Sequence, residues 1–300
     1  MDSLTSGQQG TRCGCAGTPD APTAVQPRTL PNVALLFAGQ GAQHPGMGAD
    51  LAAQSPAARA VFDACDAVRP GTSATCFSGT AEELKVTANT QPCMFACDLA
   101  CAEALAARGV VPAQVAGFSL GELAALAFAG VMAPADAFRV VCERARLMDE
   151  ACAAAPGGMT AVVKLAPKRV EELAAQAGAW PVNYNSPAQT VVAGTADALE
   201  RLAPLVKEAG GRAMPLAVSG AFHSPLMELA ARALADVLAG VAFAPARVPV
   251  WANTTGEPYP ADSVAARALL AGQAAHPVRW TKTLAGAGSP ERMTQSAYRS

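Results

Sequence analysis

The segment Gly117-Phe118-Ser119-Leu120-Gly121 constrains the fold of this chain more than any other short stretch. It follows a short apolar run at 115–116 and precedes the helix-favouring residues 122–127. This spacing is typical of a nucleophile elbow, where the turn is so sharp that only glycine fits the flanking positions and the serine hydroxyl is exposed. The start of the following helix and the amide after the serine can stabilise a developing oxyanion. Ser119 is therefore a candidate nucleophile, although the same spacing also fits an ordinary strand-to-helix turn.

Strand and helix patterns alternate around this segment. Strands are predicted at 33–37 and 115–116, and helices at 52–68, 91–108, 122–130 and 134–155. The last of these helices has proline in its first turn and stops before Pro156-Gly157-Gly158, as expected of helix boundaries. Alternation at this spacing predicts an α/β fold with a parallel sheet covered on both faces.

The order of predicted strands and helices changes between residues 158 and 217. Strands are predicted at 159–165, 181–184, 190–193 and 212–216, and helices at 167–177 and 196–209. The order β-α-β-β-α-β is that of a ferredoxin-like unit. A helix at 224–238 and a strand at 248–252 then continue the first pattern. We therefore expect a large α/β domain over 32–157 and 218–284, with a small ferredoxin-like subdomain inserted at 158–217.

Composition excludes several classes of protein. The chain has 300 residues, of which 51% are hydrophobic and 15% charged, and a net charge of −2, so it lacks the clustered basic residues of a nucleic-acid-binding surface. No apolar run reaches the ~18–20 residues of a membrane span. Residues 1–31 are polar, without apolar periodicity, and predict a disordered leader that lacks the apolar centre of a secretory signal.

Cysteine usage indicates a reducing compartment. There are nine cysteines, an odd number, and no export signal, so we expect free thiols and a cytoplasmic protein. Cys93, Cys97 and Cys101 recur every four residues and could be drawn as a metal site. Small apolar thiols on a buried helical stripe explain them equally well. Because no histidine lies close to them in sequence, no metal is expected.

A serine nucleophile needs a base, and the chain offers three histidines. His223 is the best candidate because it lies in the glycine-preceded segment 220–225 that enters a helix. A helix-capping or surface role is the alternative for it, and His44 and His276 are expected to be structural or solvent-facing.

Two further positions can contribute to such a site. Gln40 lies in the turn Gly39-Gln40-Gly41 after a strand, where its backbone amide either serves as a second oxyanion donor or belongs to a plain turn. Arg144 either binds a carboxylate in a cleft or lies on an exposed helical face with Glu143 and Asp149 as partners.

Five ordered blocks make the chain resemble the malonyl-CoA:acyl-carrier-protein transacylases and the acyltransferase domains of polyketide synthases. The likeness runs from about residue 33 to residue 284. The blocks are Phe37-Ala38-Gly39-Gln40-Gly41-Ala42-Gln43, Thr90-Gln91-Pro92, Gly117-Phe118-Ser119-Leu120-Gly121-Glu122, Gly220-Ala221-Phe222-His223-Ser224-Pro225-Leu226-Met227, and 273–281, which ends in Pro277-Val278-Arg279-Trp280-Thr281.

The resemblance implies a fold, a reaction and its partners. The fold is an α/β-hydrolase-like domain with the inserted subdomain, and the chain is expected to be a monomer. The reaction is a ping-pong transfer in which Ser119, with His223 as general base, takes a malonyl group from malonyl-CoA and passes it to the phosphopantetheine thiol of an acyl carrier protein. No cofactor, nucleic acid or membrane is implied.

The same resemblance assigns the remaining roles. The amides of Gln40 and Leu120 form the oxyanion hole, and Arg144 binds the malonyl carboxylate. The backbone carbonyl of Gln273 orients the histidine, and Gln91 lines the pocket. Phe222 resembles the bulky residue of malonyl-selective members, because a serine there accompanies methylmalonyl use.

The chain also departs from the family pattern. Phe118 replaces the usual histidine before the nucleophile, which alters packing beside the elbow, and Ala38 stands where many members have proline. Residues 285–300 are polar and unlike the strand, glycine-proline-glycine turn and helix of the family, so an aberrant or truncated tail is expected. Two alternatives to the transferase are open. One is a serine esterase or thioesterase of the α/β-hydrolase type, and the other, suggested by the tail, is an inactive homologue that lacks the C-terminal segment.

Overall fold

The computed structural model describes residues 28–288, with side chains from residue 33 onward. Strands and helices alternate over most of this range. The strands are Arg28–Phe37 (β1), Val110–Gly117 (β2), Gly158–Val163 (β3), Trp180–Ser186 (β4), Gln189–Gly194 (β5), Arg212–Pro215 (β6) and Val250–Trp251 (β7). The helices are Ala49–Gln54 (α1), Pro56–Val68 (α2), Thr72–Ser78 (α3), Ala81–Lys85 (α4), Thr87–Ala107 (α5), Gly121–Phe128 (α6), Pro134–Ala154 (α7), Pro167–Ala177 (α8), Ala196–Glu208 (α9), Glu228–Ala239 (α10), Ser263–Gly272 (α11) and Trp280–Ala287 (α12). Short 3-10 helices cover Pro225–Met227 and Gln273–Ala275.

Three parallel strands form the larger domain's sheet, in the order β1-β2-β7. Val115 of β2 faces the main core, whereas its neighbour Ala116 packs with Trp251 and Ala287 in a separate cluster. Helix α6 packs against all three strands, and α12 packs against β2. Because successive side chains of a strand point to opposite faces, these contacts cover both faces of the sheet, as predicted.

The carboxyl ends of these strands meet at one edge of the sheet. Phe37, the last residue of β1, is in register with Gly117 at the end of β2, and Trp251 ends β7 next to Ala116. The turn at Gln40 and the elbow therefore leave the sheet side by side. Ligand sites of open α/β sheets lie at this edge.

The second sheet is antiparallel, with the order β4-β5-β3-β6. Together with α8 and α9 it has the predicted β-α-β-β-α-β order and ferredoxin-like topology. It has its own core, which includes Val162, Val192 and Leu202. Backbone hydrogen bonds join β4 to Val278 of the larger domain, at 2.9 Å from the Tyr184 amide and 2.7 Å to the Val182 carbonyl oxygen.

The structure corrects several predicted boundaries. Strand β1 begins at Arg28, so residues 28–31 are part of this strand instead of belonging to the leader, and residues 28–30 pair with β2. The pattern there was hidden by prolines and by a register shift between Leu30 and Ala34. The predicted helix 52–68 is two helices, because Ser55 adopts an extended conformation and caps α2 ahead of Pro56.

The tail assignment also needs correction at its start. Residues 285–287 belong to α12, and Ala287 is buried, with its carbonyl oxygen accepting a hydrogen bond from the Gln114 side chain. Residues 289–300 of the expected tail, and residues 1–27 of the expected leader, lie outside the described residues. Helices α3, α4, α11 and α12 were not predicted.

The cysteines, the possible metal ligands and the helix lengths in the described range give three further findings. The described cysteines are free thiols. Between residues 28 and 288, no group of three or more His, Cys, Asp or Glu side chains is placed to hold a metal ion. None of the helices in the same range combines the length and apolar character needed to cross a membrane.

Candidate active site

The turn at Ser119 is a strained nucleophile elbow. Ser119 has φ of 51°, in the left-handed region that L-residues rarely adopt. A Cβ added at Gly117 would lie 2.0 Å from the backbone of Gly121, and one added at Gly121 would lie 2.5 Å from carbonyl oxygens of the β1 end. Both glycines are therefore required by close backbone approach, and the ordinary-turn alternative does not describe this geometry.

His223 lies within bonding distance of the serine hydroxyl. Its Nε2 is 2.7 Å from Ser119 Oγ, although the two residues are 104 positions apart. The ring is held from the other side by Nδ1, at 3.0 Å from the Gln273 carbonyl oxygen and 3.2 Å from that of His276. Because both of these partners are acceptors, Nδ1 carries the proton and Nε2 presents its lone pair to the hydroxyl.

The environment of His223 keeps the imidazole neutral. Its pKa is lowered from 6.5 to about 4, mainly by burial and also by the positive charge of Arg144, while the two carbonyl contacts oppose both effects. A neutral imidazole at pH 7 can accept the serine proton without first losing one of its own.

Arg144 is a buried cation beside the nucleophile. Its side chain projects from α7 and the residue is 2% exposed. Nη1 donates to Gln91 Oε1 at 2.6 Å, and Nη2 donates to Gln273 Oε1 at 2.9 Å and to Ser119 Oγ at 3.3 Å. Its Nε has no hydrogen-bond partner among the described residues. The alternative of an exposed helical face is wrong for Arg144.

The exposed face belongs to Arg146 instead. Its side chain is 52% exposed and pairs with Glu143 and Glu150. By contrast, the hydrogen-bond acceptors around Arg144 are neutral. Burial lowers the pKa of Arg144 to about 10, which the charge of Glu122 opposes, so the group remains a cation at neutral pH.

A small cavity of about 90 Å³ opens onto these side chains. Residues of both domains line it: Gln40, Phe118, Ser119, Arg144, Met148, Met159, Asn183, Leu216, Val218, Phe222 and His223. Leu120, the other predicted oxyanion donor, immediately precedes α6. The structure thus brings the predicted site residues into one region. Gln91, which was expected to line the pocket, does not border the cavity and instead contacts Arg144. His44 is exposed, and His276 contributes its backbone carbonyl, not its ring.

Phe118 is one of the residues that line this cavity. Its ring contacts Trp280 edge-on, with centroids 5.3 Å apart and planes at 80°. A Cβ added at Gly39 would lie 2.7 Å from the Phe118 carbonyl oxygen. The departure from histidine therefore places an aromatic contact beside the elbow and leaves the Ser119–His223 contact in place.

Three residues of the site were missed from sequence, the buried Asn253 and Glu122 and the half-buried Tyr259. Asn253 accepts from the Ser119 amide through Oδ1 at 2.6 Å and donates from Nδ2 to the Gly117 carbonyl oxygen at 2.6 Å. Glu122 accepts from the Asn253 amide at 3.1 Å and from the Tyr259 hydroxyl. Glu122 had a sequence signal, an acidic side chain in the apolar helix after the elbow, whereas Asn253 and Tyr259 are far away in sequence and had none.

The arrangement supports acyl chemistry on a negatively charged substrate. It combines a serine hydroxyl, a neutral base in contact with it and a cation that has neutral partners. Nucleophile activation by a positioned base is the pattern of covalent catalysis, and a guanidinium can pair bidentately with a carboxylate.

Comparisons with known proteins agree with this chemistry. A family model described as an acyl transferase domain matches residues 34–292. The malonyl CoA-acyl carrier protein transacylase of Salmonella typhimurium is 40% identical over 258 residues, which cover 84% of this chain and 83% of that protein.

Solved structures show the same likeness. An acyl carrier protein S-malonyltransferase from Vibrio cholerae has a TM-score of 0.81 at 38% identity, covering 87% of this chain and 86% of that one. A malonyl-transacylase in complex with a type II PKS acyl-carrier protein has a TM-score of 0.80 at 36% identity, covering 89% of this chain and 92% of that one.

Proposed function

The chain belongs to the acyl transferase family, and we propose that it moves a malonyl group from malonyl-CoA to an acyl carrier protein. The observation that carries this proposal is the buried Arg144 guanidinium, 3.3 Å from the nucleophilic oxygen of Ser119. A cation at that distance suits an acyl group that ends in a carboxylate. An acyl group without a negative charge would leave the guanidinium buried with neutral partners, which is unfavourable.

The first half-reaction acylates Ser119. The hydroxyl oxygen attacks the thioester carbonyl while His223 Nε2 takes its proton, and the negative charge moves to the carbonyl oxygen. We assign the stabilisation of that oxyanion to the backbone amides of Gln40 and Leu120. The carbon–sulfur bond then breaks, and the imidazolium returns its proton to the departing CoA sulfur.

The second half-reaction reverses these roles. The phosphopantetheine thiol of the carrier protein gives its proton to His223 and attacks the malonyl-serine ester. The carbon–sulfur bond forms, the carbon–oxygen bond to Ser119 breaks, and the serine oxygen recovers the proton. All groups in this scheme belong to the chain or to its two substrates, so we propose no further cofactor.

We assign specificity to three residues around the acyl group. Arg144 pairs with the malonyl carboxylate, and Gln91 holds Nη1 of the guanidinium from the far side. Phe222 is buried and lines the cavity, so its ring limits space beside the acyl carbon and favours malonyl over a branched homologue.

The esterase alternative fits the site less well. Hydrolases of that type orient the histidine with a carboxylate, whereas both partners of His223 Nδ1 are backbone carbonyl oxygens. The second alternative, an inactive homologue, is not favoured by a Ser119–His223 contact of 2.7 Å.

The product, a malonyl carrier protein, would serve fatty-acid or polyketide synthesis. Action as a monomer in the cytoplasm, without nucleic acid or membrane, remains a prediction from sequence.

A two-stage transfer assay tests the proposed function. The protein is mixed with malonyl-CoA, excess CoA is removed, and a phosphopantetheinylated carrier protein is added. Intact-mass measurement is expected to show one malonyl group on the enzyme and then on the carrier. Release of free malonate as the main product would instead indicate a hydrolase, and Ser119→Ala is the matched control.

A further inference from the structure

Glu122 lies directly beneath the elbow and touches two separate parts of the site. It is in the first turn of α6 and is 1% exposed. Its Oε2 accepts from the Asn253 amide at 3.1 Å and from Gln273 Nε2 at 3.0 Å, while Oε1 accepts from the Tyr259 hydroxyl. No lysine, arginine or histidine forms an ion pair with this carboxylate within the described residues. Burial raises its pKa to about 7.

Glu122 is one of three groups, with the Ser119 carbonyl oxygen and Arg144, that fix which way the Gln273 side-chain amide points. Gln273 Nε2 donates to Glu122 and, at 2.7 Å, to the Ser119 carbonyl oxygen. Its Oε1 therefore faces Arg144 Nη2, from which it accepts at 2.9 Å. If the amide were rotated by half a turn, its NH2 group would meet the Arg144 donors and its oxygen would meet Glu122 oxygens. Both contacts would be repulsive.

Gln273 also carries the acceptor for the catalytic imidazole. Its backbone carbonyl oxygen is the 3.0 Å partner of His223 Nδ1. The Gln273 side chain is held by Glu122 and Ser119 through Nε2 and by Arg144 through Oε1. A displacement of Gln273 would therefore move both the carbonyl oxygen that orients the His223 ring and the side-chain oxygen that accepts from Arg144.

The other contact of Glu122, with the Asn253 amide, connects it to Ser119. The Asn253 side chain joins the Ser119 amide to the Gly117 carbonyl oxygen, across a residue with φ of 51°. Glu122 holds the backbone amide of Asn253 and thus the loop from which this bridge projects. Left-handed conformations of non-glycine residues persist only when their surroundings enforce them.

We propose that Glu122 is a positioning residue for acyl transfer, which sets the orientation of Gln273 and thereby the placement of Arg144 and His223. The proposal rests on the proposed function, because the acyl carboxylate is what Arg144 has to receive. Glu122 does not line the active-site cavity, so it acts through Gln273 and Asn253 and not on the substrate.

This role predicts a change in substrate preference and not only in stability. Without an acceptor at position 122 the Gln273 amide keeps only the Ser119 carbonyl oxygen and Arg144 as partners. The oxygen that holds Arg144 is then less firmly positioned. Recognition of malonyl-CoA then weakens. Acetyl-CoA depends less on Arg144 because its acyl group has no free carboxylate. A residue that only supported the fold would lower both reactions by the same factor.

The test compares variants of Glu122 in steady-state acylation with malonyl-CoA and with acetyl-CoA. In Glu122→Leu, the malonyl-over-acetyl ratio of kcat/KM is expected to fall by about tenfold or more. Glu122→Gln is expected to retain the ratio within about threefold, because its oxygen can accept from Gln273 and Asn253 while its NH2 group donates to Tyr259. Glu143→Leu, the same change on the exposed face of α7, is the matched control.

The outcomes separate this inference from the proposed function. If the wild-type protein transfers no malonyl group, the proposed function fails and the role of Glu122 fails with it. If the wild type transfers malonyl and folded Glu122→Leu keeps its substrate ratio, or if Glu122→Gln loses the ratio as much as Glu122→Leu, only the inference is overturned. Should Glu122→Leu not fold, Glu122→Asp replaces it, since its shorter side chain withdraws the carboxylate from Gln273. A reduced ratio in Glu122→Asp then supports the proposal, and an unchanged one overturns it.

Discussion

Replacing Arg144 with alanine removes the cation beside Ser119 and is expected to separate malonyl transfer from acetyl transfer. A hydrogen bond to a charged group contributes about 1.5–3 kcal/mol. A bidentate pair with the malonyl carboxylate therefore contributes about 3–6 kcal/mol, and its loss would lower kcat/KM for malonyl-CoA by roughly 10²–10⁴-fold. Acetyl transfer has no such pair to lose and is expected to change by less than about tenfold.

The stability of this variant needs its own measurement. Arg144→Ala leaves the side-chain oxygens of Gln91 and Gln273 without a donor, which costs about 1–3 kcal/mol for each group. Removal of a desolvated cation offsets part of that cost. Thermal unfolding therefore accompanies the kinetics, so that a folding defect is not read as a loss of recognition.

A matched control lies two residues away on the same helix. Arg146→Ala removes an exposed arginine whose ion pairs with Glu143 and Glu150 contribute little, and both transfer rates are expected to remain close to wild type. Steady-state acylation is measured with each thioester for both variants. Equal losses for malonyl-CoA and acetyl-CoA in folded Arg144→Ala would refute the reasoning.

Three further predictions concern the base, the acyl pocket and a helix cap. Because the pKa of His223 is lowered from 6.5 to about 4, its proton-accepting form is lost only as pH falls towards 4, and kcat/KM for acylation should show no acid limb near 6.5. Phe222→Ser, which removes a buried ring from the cavity wall, is expected to raise methylmalonyl-CoA use relative to malonyl-CoA in a direct competition assay and to destabilise the fold by about 3 kcal/mol; an unchanged ratio would count against the steric role. Thr195 caps α9 by accepting from the Ala198 amide at 3.3 Å, so Thr195→Ala should lower the free energy of unfolding by about 1 kcal/mol with transfer rates intact, as chemical denaturation and the transfer assay can check.

The parts of the site that depend on local backbone chemistry were predictable from sequence. The two glycines around Ser119 signal an elbow because no other residue fits their close contacts. The search for a base was short because the chain has only three histidines, and one of them lies in a glycine-preceded segment that enters a helix. The repeated strand and helix periods also located the ferredoxin-like unit, since each of its elements carries its own apolar pattern.

The buried network beneath the elbow could not be predicted in the same way. Asn253 contacts the elbow across 134 residues, and its role depends on β7 lying beside β2, which no local pattern encodes. The burial of Arg144 was equally open, because an arginine in an apolar helix has the same sequence signal whether it faces solvent or a cleft. Predicted boundaries such as the start of β1 were wrong where prolines interrupted the strand pattern.

The most direct test of the account is the location of the covalent malonyl group after the protein is mixed with malonyl-CoA alone. Peptide mapping of the acylated protein is expected to place the group on Ser119, with no adduct in Ser119→Ala and slow formation in His223→Ala. A stable adduct on another residue, or none in folded wild-type protein, would contradict the claim that the Ser119–His223 pair performs the transfer.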